Sequence, residues 1–114
     1  MCNVLFICSR NQWRSPTGEQ VWKNHSAINV RSAGTSPRAK KTVNTQDIQW
    51  ADIIFTMEEK HKCRLKGQFA RQTKYKDIRV LDVPDEYRYM DPALVQLFKE
   101  VVSMHLGISY PFNA

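Results

Sequence analysis

Four short apolar runs alternate with helical patterns along this chain, and that alternation constrains the fold more than any other feature. Val4-Leu5-Phe6-Ile7 is rich in strand formers without a polar interruption, the pattern of a strand buried on both faces. Ile28-Asn29-Val30-Arg31 alternates apolar with polar and reads as a strand nearer the sheet edge. Ile53–Met57 and Ile78–Leu81 supply a third and a fourth strand. A helix is predicted from Pro16 to about Asn24, with Ser15 as its cap, proline at its first position, and Val21 and Trp22 turned inward. A short helix falls near Asn44–Trp50. Another runs from Glu58 toward Phe69, where His61, Leu65 and Phe69 recur every fourth residue as one stripe. Asp91-Pro92 repeats the cap-then-proline start. Leu94, Leu97, Phe98, Val101 and His105 form the apolar face of a last helix that Gly107 ends. Strands alternating with helices predict an α/β fold: a four-stranded parallel sheet flanked by helices, with right-handed crossovers. The 114 residues show neither a linker nor an internal repeat, so one domain over 1–114 is expected.

On such sheets, ligands bind beyond the carboxyl ends of the strands. That rule brings three segments to one rim: Cys8–Ser15, Ser32–Pro37 and Asp82–Met90. The net charge of +6 favours anionic substrates. No zinc-finger spacing, aromatic RNA-binding pattern or long basic tail accompanies it, so a nucleic-acid partner is not expected. Arg38, Lys40 and Lys41 and the Lys60–Lys66 stretch read as solvated faces. Three cysteines, Cys2, Cys8 and Cys63, are odd in number and irregular in spacing, which argues against a disulfide framework. The first apolar run has no basic leader and is too short for a signal peptide or a membrane span, so a cytoplasmic chain with reduced thiols and no membrane partner is expected.

The stretch Cys8-Ser9-Arg10-Asn11-Gln12-Trp13-Arg14-Ser15 carries the chemistry. A cysteine ends a strand, and an arginine follows at the mouth of a helix. A loop closing over this span turns successive backbone N–H groups inward as an anion nest, and the helix start adds its positive end. Arg14 can add a bidentate fork on two phosphate oxygens. The same field favours Cys8 as thiolate, and the Ser15 hydroxyl can donate to it, which makes a nucleophile beneath a phosphate site. A free cysteine taken alone is more often a small buried hydrophobe; the spacing to Arg14-Ser15, between a strand and a proline-started helix, tips the reading toward chemistry.

Ile7–Pro16, followed by Glu19, resembles the phosphate loop of the low-molecular-weight protein tyrosine phosphatases. Ser32-Ala33-Gly34-Thr35 is similar to that family's motif after its second strand, and Ala51–Glu58 to its third strand and acidic turn. The resemblance implies hydrolysis of phosphotyrosine, in a protein or a small aryl phosphate, through a phosphocysteine intermediate. It implies binding of phosphate, sulfate or vanadate and no cofactor. Cys8 would be the nucleophile, Arg14 the phosphate clamp, Asn11 the residue that shapes the loop, Ser15 the thiolate's donor, and Ser32 a brace for Asn11.

The family's acid is an aspartate after the fourth strand, followed by proline and tyrosines. Here the match splits between Asp85-Glu86-Tyr87 and Asp91-Pro92. Asp91 already has a local role as a helix cap, and Asp82, at a strand end, is expected to be partly buried. Asp85 is therefore the expected acid and Asp91 the alternative, with Tyr87 and Tyr89 as pocket walls. The chain departs from the family in a shorter segment between Thr35 and Thr42, in Arg10 where glycine is common, in Ser9 for a larger apolar residue, and in Trp13 for a second cysteine. Arginine at position 10 is costly if that position needs a positive φ. Trp13 reads either as packing beneath the loop or as a ligand contact. Two rivals are an arsenate reductase of the same fold, which needs a thiol relay that Cys2 and Cys63 are poorly spaced to supply, and a non-catalytic phosphotyrosine or anion-binding module. His25, His61 and His105 have no metal-ligand spacing, so no metal is expected, and Met57 and Met90 read as packing residues.

Overall fold

The computed structural model describes residues 2–110. Its sheet has four parallel strands, β1 (Cys2–Cys8), β2 (Ile28–Gly34), β3 (Ile53–Thr56) and β4 (Asp77–Val80), in the order β2-β1-β3-β4. The helices are α1 (Arg14–Trp22), α2 (Thr45–Trp50), α3 (Glu59–Gln68), α4 (Ala70–Thr73) and α5 (Pro92–Leu106). The predicted α/β class, strand set and edge position of β2 all hold.

β1 is central, and alternation along it sends side chains into two separate cores. Val4, Phe6 and Cys8 join Trp22, Phe55, Leu94 and Phe98 on the side covered by α1 and α5. Leu5 and Ile7 join Ala33, Ile48, Ile54 and Leu65 on the opposite side. The first core is knit by aromatic contacts: Phe6 meets Phe98 edge-on at 5.6 Å and stacks on Phe55 at 5.8 Å. The buried Trp22 indole donates to the Phe98 carbonyl at 3.2 Å. α5 begins and ends as expected, with Asp91 as its cap and Gly107 left-handed at φ 64.

Several local expectations change. β2 continues through Ser32-Ala33-Gly34, because these residues pair in register with Phe6, Ile7 and Cys8 of the central strand. α1 starts at Arg14, not Pro16, and Ser15 does not cap it; Ser15 is fully buried within the first turn. The third helical pattern breaks at Phe69, whose φ of −128° is not helical, into α3 and α4. Met90 is exposed with φ 59 instead of packed, and Asp82 is exposed with φ 56 instead of partly buried.

The segment between Thr35 and Thr42 closes as a tight turn stitched to the Cys8–Ser15 loop. Thr35 N–H donates to the Cys8 carbonyl (3.0 Å), Ser36 N–H to that of Ser9 (2.9 Å) and Lys40 N–H to that of Arg10 (3.0 Å). This close approach depends on Gly34. A Cβ there would lie 2.5 Å from the Ser9 carbonyl oxygen, 2.7 Å from Ala39 Cβ and 3.0 Å from the Asn11 nitrogen, two of them main-chain atoms with little room to yield. Gly34→Ala is expected to lower the unfolding free energy by about 1–3 kcal/mol through overpacking, as measured by denaturant unfolding; a neutral result would mean that the loop gives way freely.

Candidate active site

The loop from Cys8 to Arg14 closes around the Cys8 sulfur. Cys8 ends β1 and is buried. Asn11 takes the left-handed conformation, φ 53, which asparagine tolerates better than most residues. That turn points the Asn11 N–H at Cys8 Sγ, 3.3 Å away. The Asn11 side chain holds the turn: Nδ2 donates to Ser15 Oγ at 2.9 Å and to Ser32 Oγ at 3.0 Å. Ser32 Oγ in turn donates to Glu19 Oε1 at 2.5 Å. Ser15 Oγ lies 2.9 Å from Cys8 Sγ, where it can donate to a thiolate. Arg10 is not among the positive-φ residues, so its position does not require glycine.

Arg14 is buried, with 4% of its side chain exposed. Its Nη1 donates to Glu58 Oε2 at 2.6 Å and to the Val83 carbonyl at 2.8 Å. With Nη1 committed, the Nε–Nη2 edge is the one that can grip an anion bidentately. Asp85 approaches that edge, with Oδ1 3.7 Å from Nε and 60% of its side chain exposed. A cavity of ≈ 70 Å³ opens above Cys8 and Arg14. Its walls are Ser9, Gln12 and Trp13, and Arg10 and Asp85 stand at it as charged neighbours. Trp13 is 36% exposed and lines this cavity.

The other expected residues divide. Asp91 accepts from Ala93 N–H at 2.9 Å as the α5 cap and does not line the cavity. Tyr87 leans on the α1/α5 core, and Tyr89 lines a neighbouring cavity that shares Gln12 and Trp13, so neither is a wall of the Cys8 cavity. Cys2 starts β1 at the end opposite Cys8, and burial, then the Asp52 carboxylate, push its thiol up. Cys63 is exposed on α3. Among the described residues no group of three or more His, Cys, Asp or Glu side chains could hold a metal ion.

Two supporting residues escaped sequence reasoning. Glu58 follows β3 at the rim and holds Arg14; the hydrogen bond from that guanidinium keeps its carboxyl below the usual range. His61 has no solvent exposure. Its Nδ1 accepts from Glu58 N–H at 3.0 Å, while Nε2 lies 3.0 Å from Ser9 Oγ. The signal available was position: Glu58 follows a strand's carboxyl end, and His61 stands three residues on, where a capping box closes.

Burial first, then the Arg14 charge, lowers His61 from 6.5 to about 4. The fold therefore holds the ring neutral, while the unfolded chain takes up a proton between these two values. His61 thus contributes its full stability above about pH 6.5, and that contribution is lost as pH falls toward 4. Melting temperature should decline over this window, and His61→Gln should flatten the decline relative to the parent protein. An unchanged slope in the variant would assign the acid sensitivity to other groups.

A family model described as low molecular weight phosphotyrosine protein phosphatase matches residues 3–83. No curated relative matches the sequence. Solved structures share the fold at low identity. The low molecular weight protein tyrosine phosphatase SP-PTP from Streptococcus pyogenes is 22% identical with a TM-score of 0.77, over 94% of this chain and 92% of that one. Vibrio vulnificus Wzb, solved in complex with benzylphosphonate, is 22% identical with a TM-score of 0.75, over 93% and 97%. The YwlE arginine phosphatase from Geobacillus stearothermophilus is 19% identical with a TM-score of 0.70, over 94% of each chain. With the family model spanning most of its length and the Cys8–Arg14 loop closed around a buried sulfur, the chain belongs to the low molecular weight phosphotyrosine protein phosphatase family, whose members are cysteine-based phosphatases.

Proposed function

We propose that this phosphatase hydrolyses phosphotyrosine, in a protein or as a small aryl phosphate, through a phosphocysteine intermediate. The observation that carries the reading is the Cys8 sulfur between the Asn11 N–H at 3.3 Å and the Ser15 hydroxyl at 2.9 Å, on the floor of a cavity that Arg14 also lines. The phosphoryl group enters that cavity, held by loop N–H groups and by the Nε–Nη2 edge of Arg14. Cys8 thiolate attacks phosphorus, the P–O bond to the aryl group breaks, and the phosphoryl group is transferred to sulfur. The departing tyrosyl oxygen, with a solution pKa of about 10, needs a proton. Asp85 supplies it, then takes a proton from the water that attacks phosphocysteine, releasing phosphate and restoring the thiolate. Asp85 is favoured because it stands at the cavity and is 60% exposed, within reach of solvent water, whereas Asp91 is occupied as a cap. Trp13 offers a face to an aromatic leaving group. Inorganic phosphate, sulfate and vanadate fit the same nest. A reduced thiol at the centre suits a cytoplasmic setting, and among the described residues no helix is long and apolar enough to cross a membrane.

A second reading is phosphoarginine hydrolysis. Ser9 and Gln12 give the cavity wall a polar character that a guanidinium leaving group can use, and YwlE of similar fold is an arginine phosphatase. An arsenate reductase has less support, because Cys2 is remote and its thiol is pushed up, while Cys63 is exposed on α3.

Turnover of p-nitrophenyl phosphate is expected, and Cys8→Ser should abolish it. Absence of turnover in the parent protein would leave an anion-binding module. Asp85→Asn should lower kcat by roughly 100-fold or more for esters with poor leaving groups, the low end of general acid catalysis, and by less for activated ones. Asp91→Asn should leave turnover nearly unchanged, since asparagine caps a helix about as well as aspartate; the reverse pattern would move the acid to Asp91. A kcat/KM for phosphoarginine above that for phosphotyrosine would select the second reading.

A further inference from the structure

His61 does more than complete the α3 cap. The Glu58 main-chain N–H can only donate, so the ring nitrogen 3.0 Å from it, Nδ1, must be the acceptor. A neutral ring then carries its proton on Nε2, which points at Ser9 Oγ, 3.0 Å away. Ser9 therefore receives a hydrogen bond from His61 and retains its own hydroxyl proton to give. Ser9 directly follows the nucleophile and lines the cavity above it. Its main chain is fixed, since its carbonyl accepts from Ser36 N–H at 2.9 Å. Neither the loop nor its neighbours among the described residues supply an acceptor for that proton; a bound oxyanion in the cavity would.

We propose that the Ser9 hydroxyl is a substrate-binding donor to an oxygen of the phosphoryl group, and that His61 is the positioning residue that aims it. The inference rests on the phosphatase reading and extends it to a side-chain donor beside the backbone nest. Charge on the phosphoryl oxygens is greatest where catalysis needs it, so a donor fixed in advance counts more than a freely rotating hydroxyl. The same imidazole meets the main chain of Glu58, whose carboxylate holds Arg14. One buried ring thus braces two phosphate ligands on different elements, Ser9 after β1 and Arg14 at the start of α1.

The experiment compares wild type, Ser9→Ala, Ser9→Thr, His61→Phe and the double variant Ser9→Ala/His61→Phe in p-nitrophenyl phosphate turnover and vanadate inhibition. Loss of one hydrogen bond to a charged group predicts a roughly 10- to 100-fold fall in kcat/KM for Ser9→Ala, with vanadate inhibition weakened in parallel. Ser9→Thr, which keeps the hydroxyl, should recover most of the loss. In the Ser9→Ala background, His61→Phe should cost clearly less than it does alone, because its aim has lost its object. Ser9→Ala with wild-type kcat/KM and vanadate affinity would overturn the proposal. So would independent, additive losses, which would reduce His61 to a helix cap. Ser9→Ala and Ser9→Thr keep the proposal falsifiable if His61→Phe fails to fold. An inactive wild type would instead overturn the phosphatase reading itself.

Discussion

The site depends on one backbone choice, the left-handed turn at Asn11. It is what turns a main-chain N–H onto the Cys8 sulfur, and it is sparsely populated by side-chain-bearing residues. The fold keeps it by giving the Asn11 amide two hydroxyl partners on different elements, Ser15 on α1 and Ser32 on β2. Ser32 is itself tied to Glu19. A conformation that local preference would not hold is thereby fixed from two neighbouring elements.

Around that turn, the sheet arranges its supports by register. Pairing of Cys8 with Gly34 sets the end of β2 beside the loop, and the glycine lets the two main chains approach. The shortened segment after Thr35 uses this proximity for three main-chain hydrogen bonds to Cys8, Ser9 and Arg10. No residue of that segment lines the cavity, whose walls include Trp13 and Gln12. From the far side of β1, β3 delivers Glu58 to Arg14 and α3 delivers His61 to Ser9. The Cys8–Arg14 loop is therefore braced from both flanking strands of the central one.

Electrostatics explains why buried charge is tolerated here. Arg14 is almost wholly buried, yet a carboxylate and a carbonyl share its Nη1, and the exposed Asp85 carboxylate stands 3.7 Å from its Nε, so the charge has a partner at each edge. His61 lies near that same cation and is lowered to about 4, which keeps it an uncharged relay between two hydrogen-bond partners.

Much of the fold was legible in the sequence. The Val4–Ile7 run identified a strand buried on both faces, and Asp91-Pro92 with Gly107 marked both ends of α5, because apolar periodicity and caps are local signals. The closure of a loop around Cys8 was legible through the Cys8–Arg14 spacing. The capping role of Ser15 was misread, since a serine before a proline is a good local cap but here faces Cys8 inside the first turn. The extension of β2 through Ser32–Gly34 was hidden, because those residues look like a loop until β1 supplies their hydrogen-bond partners. Glu58 and His61 were invisible as site residues for the same reason: they stand more than forty residues from Arg14 and Ser9 in the chain, and nothing local indicates whom they will meet. Signals lying within a few residues of one another were enough to mark the elements and the Cys8–Arg14 loop; which distant side chains close around that loop is set by the packing of parallel strands.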